Sequence, residues 1–289
     1  MRFQAREFAR RGWAAIAVMR RGYGQSEGEF VEGNGRCASP DYLASGRNSA
    51  DDVRAVIRAM KDQPYVDGSR IISIGRSAGG FATVALTADP PPGLVAAISF
   101  AGGRGSTRPD EVCAPDRLMD AFATFGRTSR IPMLWVYAEN DHFFGPALAD
   151  RFHAAFTRTG GRASLIAAPA FGEDGHQLFS EKGAPVWEPY VDDFLARQNL
   201  TLADRLLPVS NTVASVAYPE GLGAQGREAF AKYLNASDHK AFVMSSDGHF
   251  GWRTGRRTVE DAVEEATDFC QQHTREPCSA VMIDDKPAE

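Results

Sequence analysis

Residues 70–87 read RIISIGRSAGGFATVALT, and this stretch decides the fold. The apolar run at 71–74 leads into a Gly-X-Ser-X-Gly string at 75–79, and small and apolar residues follow it. Between a strand and a helix, such a turn is sharp enough to raise the serine hydroxyl above the edge of the sheet. The string alone is a weak signal in a chain with 28 glycines. Its position between strand-like and helix-like segments favours Ser77 as a nucleophile over a structural Gly-Ser turn.

Strand-like and helix-like segments alternate on both sides of this stretch, through residues 1–200. Uniformly apolar runs are typical of strands buried on both faces, and their alternation with helices predicts an α/β fold with a mainly parallel sheet covered by helices on both faces. The strands are predicted at 13–19, 70–74, 94–100, 132–138 and 163–168. The helices are predicted from Phe3 to Gly12, from a Ser49 cap to Met60, and at 78–87, 116–125, 146–158 and 185–197, with a polar loop from Arg20 to about Asn48.

Residues 201–289 are predicted to form a separate, small α+β module. A helix is expected to end near Leu234, and two short strands flank the hairpin dipeptide Asp247-Gly248. An acidic helix is expected from Thr258, with Asp261 completing a capping box, before a last strand at 280–283. No catalytic pattern stands out in this module.

Composition places the chain among ordinary globular proteins. It has 289 residues, of which 43% are hydrophobic and 24% charged, and its net charge is −5. The acidic balance gives no general attraction for nucleic acid, and no apolar run approaches the roughly 18–20 residues that a membrane span needs. No Cys/His spacing matches a zinc site and no Gly-rich loop ends in Gly-Lys-Ser/Thr, so we expect neither a metal nor a cofactor.

A serine nucleophile needs a base, and the base needs an orienting acid. Of the six histidines, His176 lies in a glycine-rich loop after the last predicted core strand, where an imidazole can reach the carboxyl edge of the sheet. Asp141 ends the segment that follows the strand at 132–138, and Glu139 is the competing carboxylate. The order Ser77, Asp141, His176 is the one expected for this type of strand–turn–helix nucleophile.

Four stretches give the chain a resemblance to the α/β-hydrolases of the dienelactone-hydrolase and prolyl-oligopeptidase-like group. The stretches are RRGYGQS at 20–26, GRSAG at 75–79, AEND at 138–141 and GEDGH at 172–176. The resemblance covers residues 1–198 and implies a Ser77 nucleophile, a His176 base and an Asp141 orienter. Dienelactone hydrolases carry a cysteine nucleophile, whereas this chain has serine, which shifts the expected substrate towards an ordinary ester, thioester or peptide bond.

The resemblance also implies an oxyanion hole, with one N–H donated by Ala78 and a second from a loop that follows the third strand of the fold. The first three strands of the family pattern and that loop are absent here, so we predict an N-terminally truncated hydrolase domain over 1–200. One explanation is a reading frame that begins upstream, where a signal peptide would imply a periplasmic or secreted protein. The other is a decayed hydrolase, and the intact order of the three candidate residues favours the first.

Aromatic residues flank the predicted acid and base loops. Phe143, Phe144 and Phe171 are candidates for an acyl or alcohol pocket, and covering the sheet edge is an equally good interpretation. Arg76, inside the Gly-X-Ser-X-Gly string, is a candidate for contact with an anionic substrate group, although a surface role is the simpler interpretation. Many relatives insert a lid after the strand at 94–100, but here only residues 101–115 separate this strand from the next helix. This short segment predicts an open site.

The four cysteines allow two disulfides. Cys37 and Cys113 both follow predicted strands, and parallel strands bring such loops to one edge, so that pair is geometrically possible. Cys270 and Cys278 lie eight residues apart, at a helix end and before a strand. Two disulfides would suit an exported protein, whereas four free thiols would suit a cytosolic enzyme.

The sequence therefore predicts a serine hydrolase that cleaves a carboxylic ester or related acyl bond through an acyl-enzyme. A prolyl-oligopeptidase-like peptidase is one alternative, and a catalytically impaired scaffold or binding protein is the other. The expected partner is a small ester or a peptide, and the oligomeric state cannot be read from the sequence.

Overall fold

The computed structural model describes residues 1–24, 26–208, 217–234, 236, 239–256, 258–284 and 286–288, so Gln25 of the stretch at 20–26 lies outside it. The chain divides into two compact units. The larger unit comprises Phe3–Gly22 and Glu27–Leu207, and the smaller one comprises Met1–Arg2, Tyr23–Ser26 and Pro208–Glu289. Within the described ranges, no helix combines the length and the apolar character needed to cross a membrane.

A four-stranded parallel sheet forms the centre of the larger unit, in agreement with the predicted fold class. Its order is β1-β2-β5-β6, and each neighbouring pair is parallel. A short antiparallel ribbon, β3-β4, lies outside it. The strands are β1 (Ile71–Arg76), β2 (Leu94–Phe100), β3 (Ser106–Arg108), β4 (Glu111–Val112), β5 (Met133–Ala138) and β6 (Ala163–Ala168).

Helices cover both faces of this sheet, and the side chains of β5 show why. Trp135 packs in one buried cluster with α2 to α5, while Leu134 and Val136 pack in a second cluster with α1 and α6. Successive residues of a strand point to opposite faces, so an apolar run such as β5 supplies both clusters. The helices are α1 (Arg2–Arg10), α2 (Tyr42–Met60), α3 (Ala78–Ala88), α4 (Pro115–Gly126), α5 (Pro146–Arg158) and α6 (Ala184–Arg197).

The prediction of a strand at residues 13–19 is wrong. The segment forms no strand, and Ile16 and Met19 are 45% and 46% exposed. A strand exists only when a neighbour accepts and donates its backbone hydrogen bonds, and no described segment pairs with this one. The apolar run therefore has the right composition for a buried strand but finds no pairing partner among the described residues.

The predicted start of the second helix is also wrong. Helix α2 begins at Tyr42, seven residues before the expected Ser49 cap, because the Asp41 carboxylate accepts the Ala44 N–H and caps it. Ser49 lies inside the helix, where its hydroxyl donates to the Ser45 carbonyl. Such a bond inside a helix satisfies a buried hydroxyl that the sequence alone suggested as a cap.

Among its described residues, the smaller unit combines two helices with an antiparallel sheet of order β10-β9-β7-β8. The predicted capping box is confirmed: the Thr258 hydroxyl accepts the Asp261 N–H, and the Asp261 carboxylate accepts the Thr258 N–H. Gly248 has φ +86°, which the turn between β7 and β8 requires. The elements are α7 (Ala224–Leu234), β7 (Ala241–Ser245), β8 (Phe250–Arg253), α8 (Val259–Gln271), β9 (Cys278–Ile283) and β10 (Lys286–Pro287).

Both predicted disulfides are present. Cys37 pairs with Cys113 across 76 residues of sequence, within the larger unit, and Cys270 pairs with Cys278 across eight residues, within the smaller one. The first bond closes a far longer loop and therefore removes more conformational freedom from the unfolded chain.

We expect the Cys37→Ala/Cys113→Ala variant to lose about 4.5 kcal/mol of unfolding free energy, and the Cys270→Ala/Cys278→Ala variant about 2.5 kcal/mol, from their loop lengths. Urea unfolding followed by tryptophan fluorescence measures the first effect, because Trp135 and Trp187 are fully buried in the larger unit. The second variant is the matched control and should leave that transition in place. Equal shifts in both variants would contradict the loop-length argument.

Candidate active site

Ser77 occupies the turn between β1 and α3, and its backbone is unusual. Its φ is +55°, in the region that residues with a side chain rarely adopt. Three main-chain hydrogen bonds hold it there: Ser77 N–H donates to the Phe100 carbonyl at 2.9 Å, and the Ser77 carbonyl accepts from Phe81 at 2.9 Å and from Gly103 at 3.2 Å. The strand and helix on either side thus fix a conformation that costs of order 1–3 kcal/mol.

The turn is tight enough to require glycine at two nearby positions. A Cβ on Gly75 would collide with the main chain of Gly79, and a Cβ on Gly103 would collide with the Phe144 ring. Gly75 therefore lets the end of β1 touch the start of α3, as the Gly-X-Ser-X-Gly string predicted. Gly103 lets the loop after β2 pass between Ser77 and the aromatic residues after β5.

His176 and Asp141 lie together at the same edge of the sheet. The Nδ1 atom of His176 is 3.1 and 3.2 Å from the two carboxylate oxygens of Asp141, and both residues are buried. Asp141 Oδ1 also accepts the N–H groups of Phe143 at 2.8 Å and Phe144 at 2.9 Å. The carboxylate is therefore held by the main chain and aimed at one ring nitrogen, so Nε2 is the nitrogen left for other chemistry.

The His176 loop contains a second carboxylate, that of Asp174. Asp174 Oδ1 accepts the N–H of His176 at 3.0 Å and that of His142 at 3.2 Å. It thus holds the loops after β5 and β6 together. Its position two residues before His176 is the spacing of an Asx turn, which is the sequence signal that identifies such a role.

His142 itself points away from the site. Its Nδ1 lies 3.2 Å from both carboxylate oxygens of Asp110, in the β3-β4 ribbon, and this hydrogen bond raises the pKa of His142. The main chains bond as well, since the Asp110 N–H donates to the His142 carbonyl. His142 is therefore engaged with the ribbon and is no competitor for the place of His176.

Two series of residue contacts connect the Ser77 turn to the His176 loop. In the first, Arg76 donates to the Gln177 side-chain oxygen at 2.8 Å, so the residue before Ser77 is bonded to the residue after His176. Gln177 was not singled out by sequence reasoning, since nothing in its local sequence marks it. Among the described residues, no hydrogen bond joins the Ser77 hydroxyl itself to the imidazole.

The second series of contacts runs through aromatic rings. Gly103 bonds the Ser77 carbonyl and touches Phe144, whose ring centre is 5.9 Å from that of His176. The Phe143 ring is closer to the imidazole, at 4.4 Å. Phe171 is half-buried among residues on the opposite sheet face, and its N–H donates to Asn140. That these three line a substrate pocket stays a prediction.

Ala78 is the first residue of α3, so its N–H has no acceptor one turn earlier in the helix. Such an N–H at a helix start, next to Ser77, is where the expected oxyanion donor should lie, and its role stays a prediction. Tyr137 is buried beneath the site and donates to the Gly102 carbonyl at 2.6 Å. Burial raises its pKa well above the ordinary value, so the phenol stays neutral.

Comparison with known proteins finds one matching family model and one curated relative. Residues 1–119 match the family model described as X-Pro dipeptidyl-peptidase (S15 family), which covers less than half of the chain. Over 104 residues the chain is 36% identical to dipeptidyl-peptidase 5 of Porphyromonas gingivalis, a match that covers 35% of this chain and 14% of that protein. Over residues 1–119 the chain therefore resembles an S15-family peptidase. It spans about a seventh of the length of that relative.

Two solved structures illustrate the range of similar proteins. An esterase of Pyrococcus furiosus aligns with a TM-score of 0.42 and 14% identity, covering 62% of this chain and 66% of that one. Dipeptidyl peptidase 4 of Porphyromonas gingivalis aligns with a TM-score of 0.40 and 18% identity, covering 54% of this chain and 23% of that one. These two similar structures are thus an esterase and a dipeptidyl peptidase.

Proposed function

We propose that this α/β-hydrolase is a serine hydrolase that cleaves a carboxylic ester or related acyl bond, with Ser77 as nucleophile, His176 as base and Asp141 as orienter. One observation carries the proposal: a buried imidazole–carboxylate pair lies at the sheet edge where a strained turn presents a serine. A strained backbone persists only where the surrounding structure holds it in place, and such positions are typical of functional sites.

The chemistry follows from the positions of the atoms. Asp141 holds the proton on His176 Nδ1, which leaves the Nε2 lone pair free to take the Ser77 proton. The Ser77 oxygen then attacks the substrate carbonyl carbon, and the Ala78 N–H donates to the oxygen that becomes negative. His176 returns the proton to the leaving alcohol, giving an acyl-enzyme that water hydrolyses by the same steps.

Peptide cleavage is the second candidate. It is favoured by the similarity of residues 1–119 to the X-Pro dipeptidyl-peptidase family and by the dipeptidyl-peptidase relative. The same three residues would act, with the leaving group changed from an alcohol to an amine. Digestion of a peptide library, with products sequenced by mass spectrometry, separates the two: cleavage products that require Ser77 indicate a peptidase.

We expect a fluorophosphonate probe to label the protein once, on the peptide that contains Ser77. Such probes phosphonylate a serine only when a base activates it, so ordinary surface serines do not react. Tryptic mapping by mass spectrometry locates the label, and Ser77→Ala is the matched unlabelled control. An unlabelled wild-type protein would instead support a catalytically impaired scaffold, the third interpretation of the sequence.

A further inference from the structure

Arg76 brings a positive charge to the edge where Ser77 and His176 lie. It is half-buried at the end of β1, immediately before Ser77, and its guanidinium reaches the residue that follows His176. Burial lowers the pKa of the guanidinium, while the charges of Asp141 and Asp174 raise it. An arginine remains protonated despite such a change, so the site keeps a cation.

This cation has unused capacity for hydrogen bonds. A guanidinium carries five N–H donors, and within the described part of the chain Arg76 uses one nitrogen, on the neutral amide of Gln177. No carboxylate of a described residue lies within ion-pair distance of it. A half-buried arginine that faces only a neutral partner still has most of its planar, doubly hydrogen-bonding group available to an anion.

The two nearby carboxylates are occupied by other groups. Asp141 accepts two main-chain N–H groups and the His176 ring nitrogen, and Asp174 accepts two more main-chain N–H groups. Their positions are thus fixed by the loops after β5 and β6, which prevents them from closing onto Arg76. The charge of Arg76 is therefore available to a group that arrives from solvent.

We propose that Arg76 binds a carboxylate of the substrate, so that the preferred substrates are half-esters of short dicarboxylic acids. The inference rests on the proposed function and specifies its substrate class. Neighbouring Cα atoms are about 3.8 Å apart, so a carbonyl held at Ser77 is within one arginine side chain of the Arg76 guanidinium. A carboxylate two or three carbons from that carbonyl spans the remaining gap.

The competing explanation is that Arg76 only positions the His176 loop through Gln177. The two roles predict different results. A positioning residue affects charged and neutral substrates equally, whereas a carboxylate-binding residue changes the ratio between them. Removing the Gln177 amide while keeping Arg76 separates the two roles, because the Arg76–Gln177 hydrogen bond is lost and the guanidinium charge remains.

The test compares monoethyl succinate with ethyl succinamate, in which a neutral amide replaces the carboxylate, by measuring ethanol release. We expect the wild-type kcat/KM for the acid to exceed that for the amide about 10- to 100-fold, as for hydrogen bonds to charged groups. Arg76→Gln should reduce this ratio to about one, and Gln177→Ala should preserve it. A wild-type ratio near one, or equal losses on both esters in Arg76→Gln, would overturn the proposal.

A binding experiment separates failure of this inference from failure of the proposed function. Ser77→Ala is titrated calorimetrically with both esters, alone and combined with Arg76→Gln. At least tenfold tighter binding of the acid, lost in the double variant, supports carboxylate recognition even when the wild type cleaves neither ester. Equal binding of the two esters to Ser77→Ala overturns it, whatever the catalytic activity.

Discussion

Ser77→Ala should lower kcat for an activated short-chain ester by about 10⁴-fold or more, the size of effect found when a serine nucleophile is removed. The variant loses the atom that forms the acyl-enzyme, while the turn that carries it keeps its main-chain bonds to Phe100, Phe81 and Gly103. Alanine is smaller than serine, and folding should therefore be unaffected. Initial rates of 4-nitrophenyl acetate hydrolysis measure the effect.

Ser69→Ala is the matched control for this variant. Ser69 is exposed in a surface turn, where its hydroxyl donates to Asp67 at 2.6 Å, so its loss should leave the ester rate within about twofold of the wild type. Thermal unfolding of both variants checks that the fold persists. A Ser77→Ala protein that keeps more than a tenth of the wild-type rate would show that the reaction proceeds without this nucleophile.

The strands that could be predicted from the sequence are those that pair with another strand in the structure. The apolar run at 94–100 matches β2 residue for residue, and the run at 163–168 matches β6, because each pairs with an adjacent parallel strand. The run at 13–19 is equally apolar and forms no strand. The composition of a segment indicates whether the segment can be buried. Strand pairing depends on a second segment, which the local sequence pattern does not identify.

The candidate site also contains residues that the sequence could select and contacts that it could not. Ser77, Asp141 and His176 could be selected because each follows a strand, and strand ends of a parallel sheet share one edge. The contact between Arg76 and Gln177 could not be predicted, since it joins positions 101 residues apart through side chains that no local motif marks. The role of Asp174 could have been predicted from its Asx-turn spacing, two residues before His176.

The main chain around Asp141 determines what an amide at that position would do. Oδ1 accepts the N–H groups of Phe143 and Phe144, so an asparagine would keep its oxygen there and place its NH₂ group at the position of Oδ2. That position is 3.1 Å from His176 Nδ1. An NH₂ group can only donate, so Nδ1 would become the acceptor and the ring proton would move to Nε2.

Asp141→Asn should therefore lower kcat about 10⁴-fold at neutral pH, because an imidazole protonated on Nε2 cannot take the proton of Ser77. The fold should survive, since both main-chain bonds are kept, and reaction with the fluorophosphonate probe should slow in parallel with the esterase rate. Asp41→Asn is the matched control: Asp41 caps α2, asparagine caps a helix equally well, and its rate should stay near wild type. Undiminished turnover in Asp141→Asn would mean that this carboxylate does not orient the base, and would direct attention to Glu139, the other acidic residue after β5.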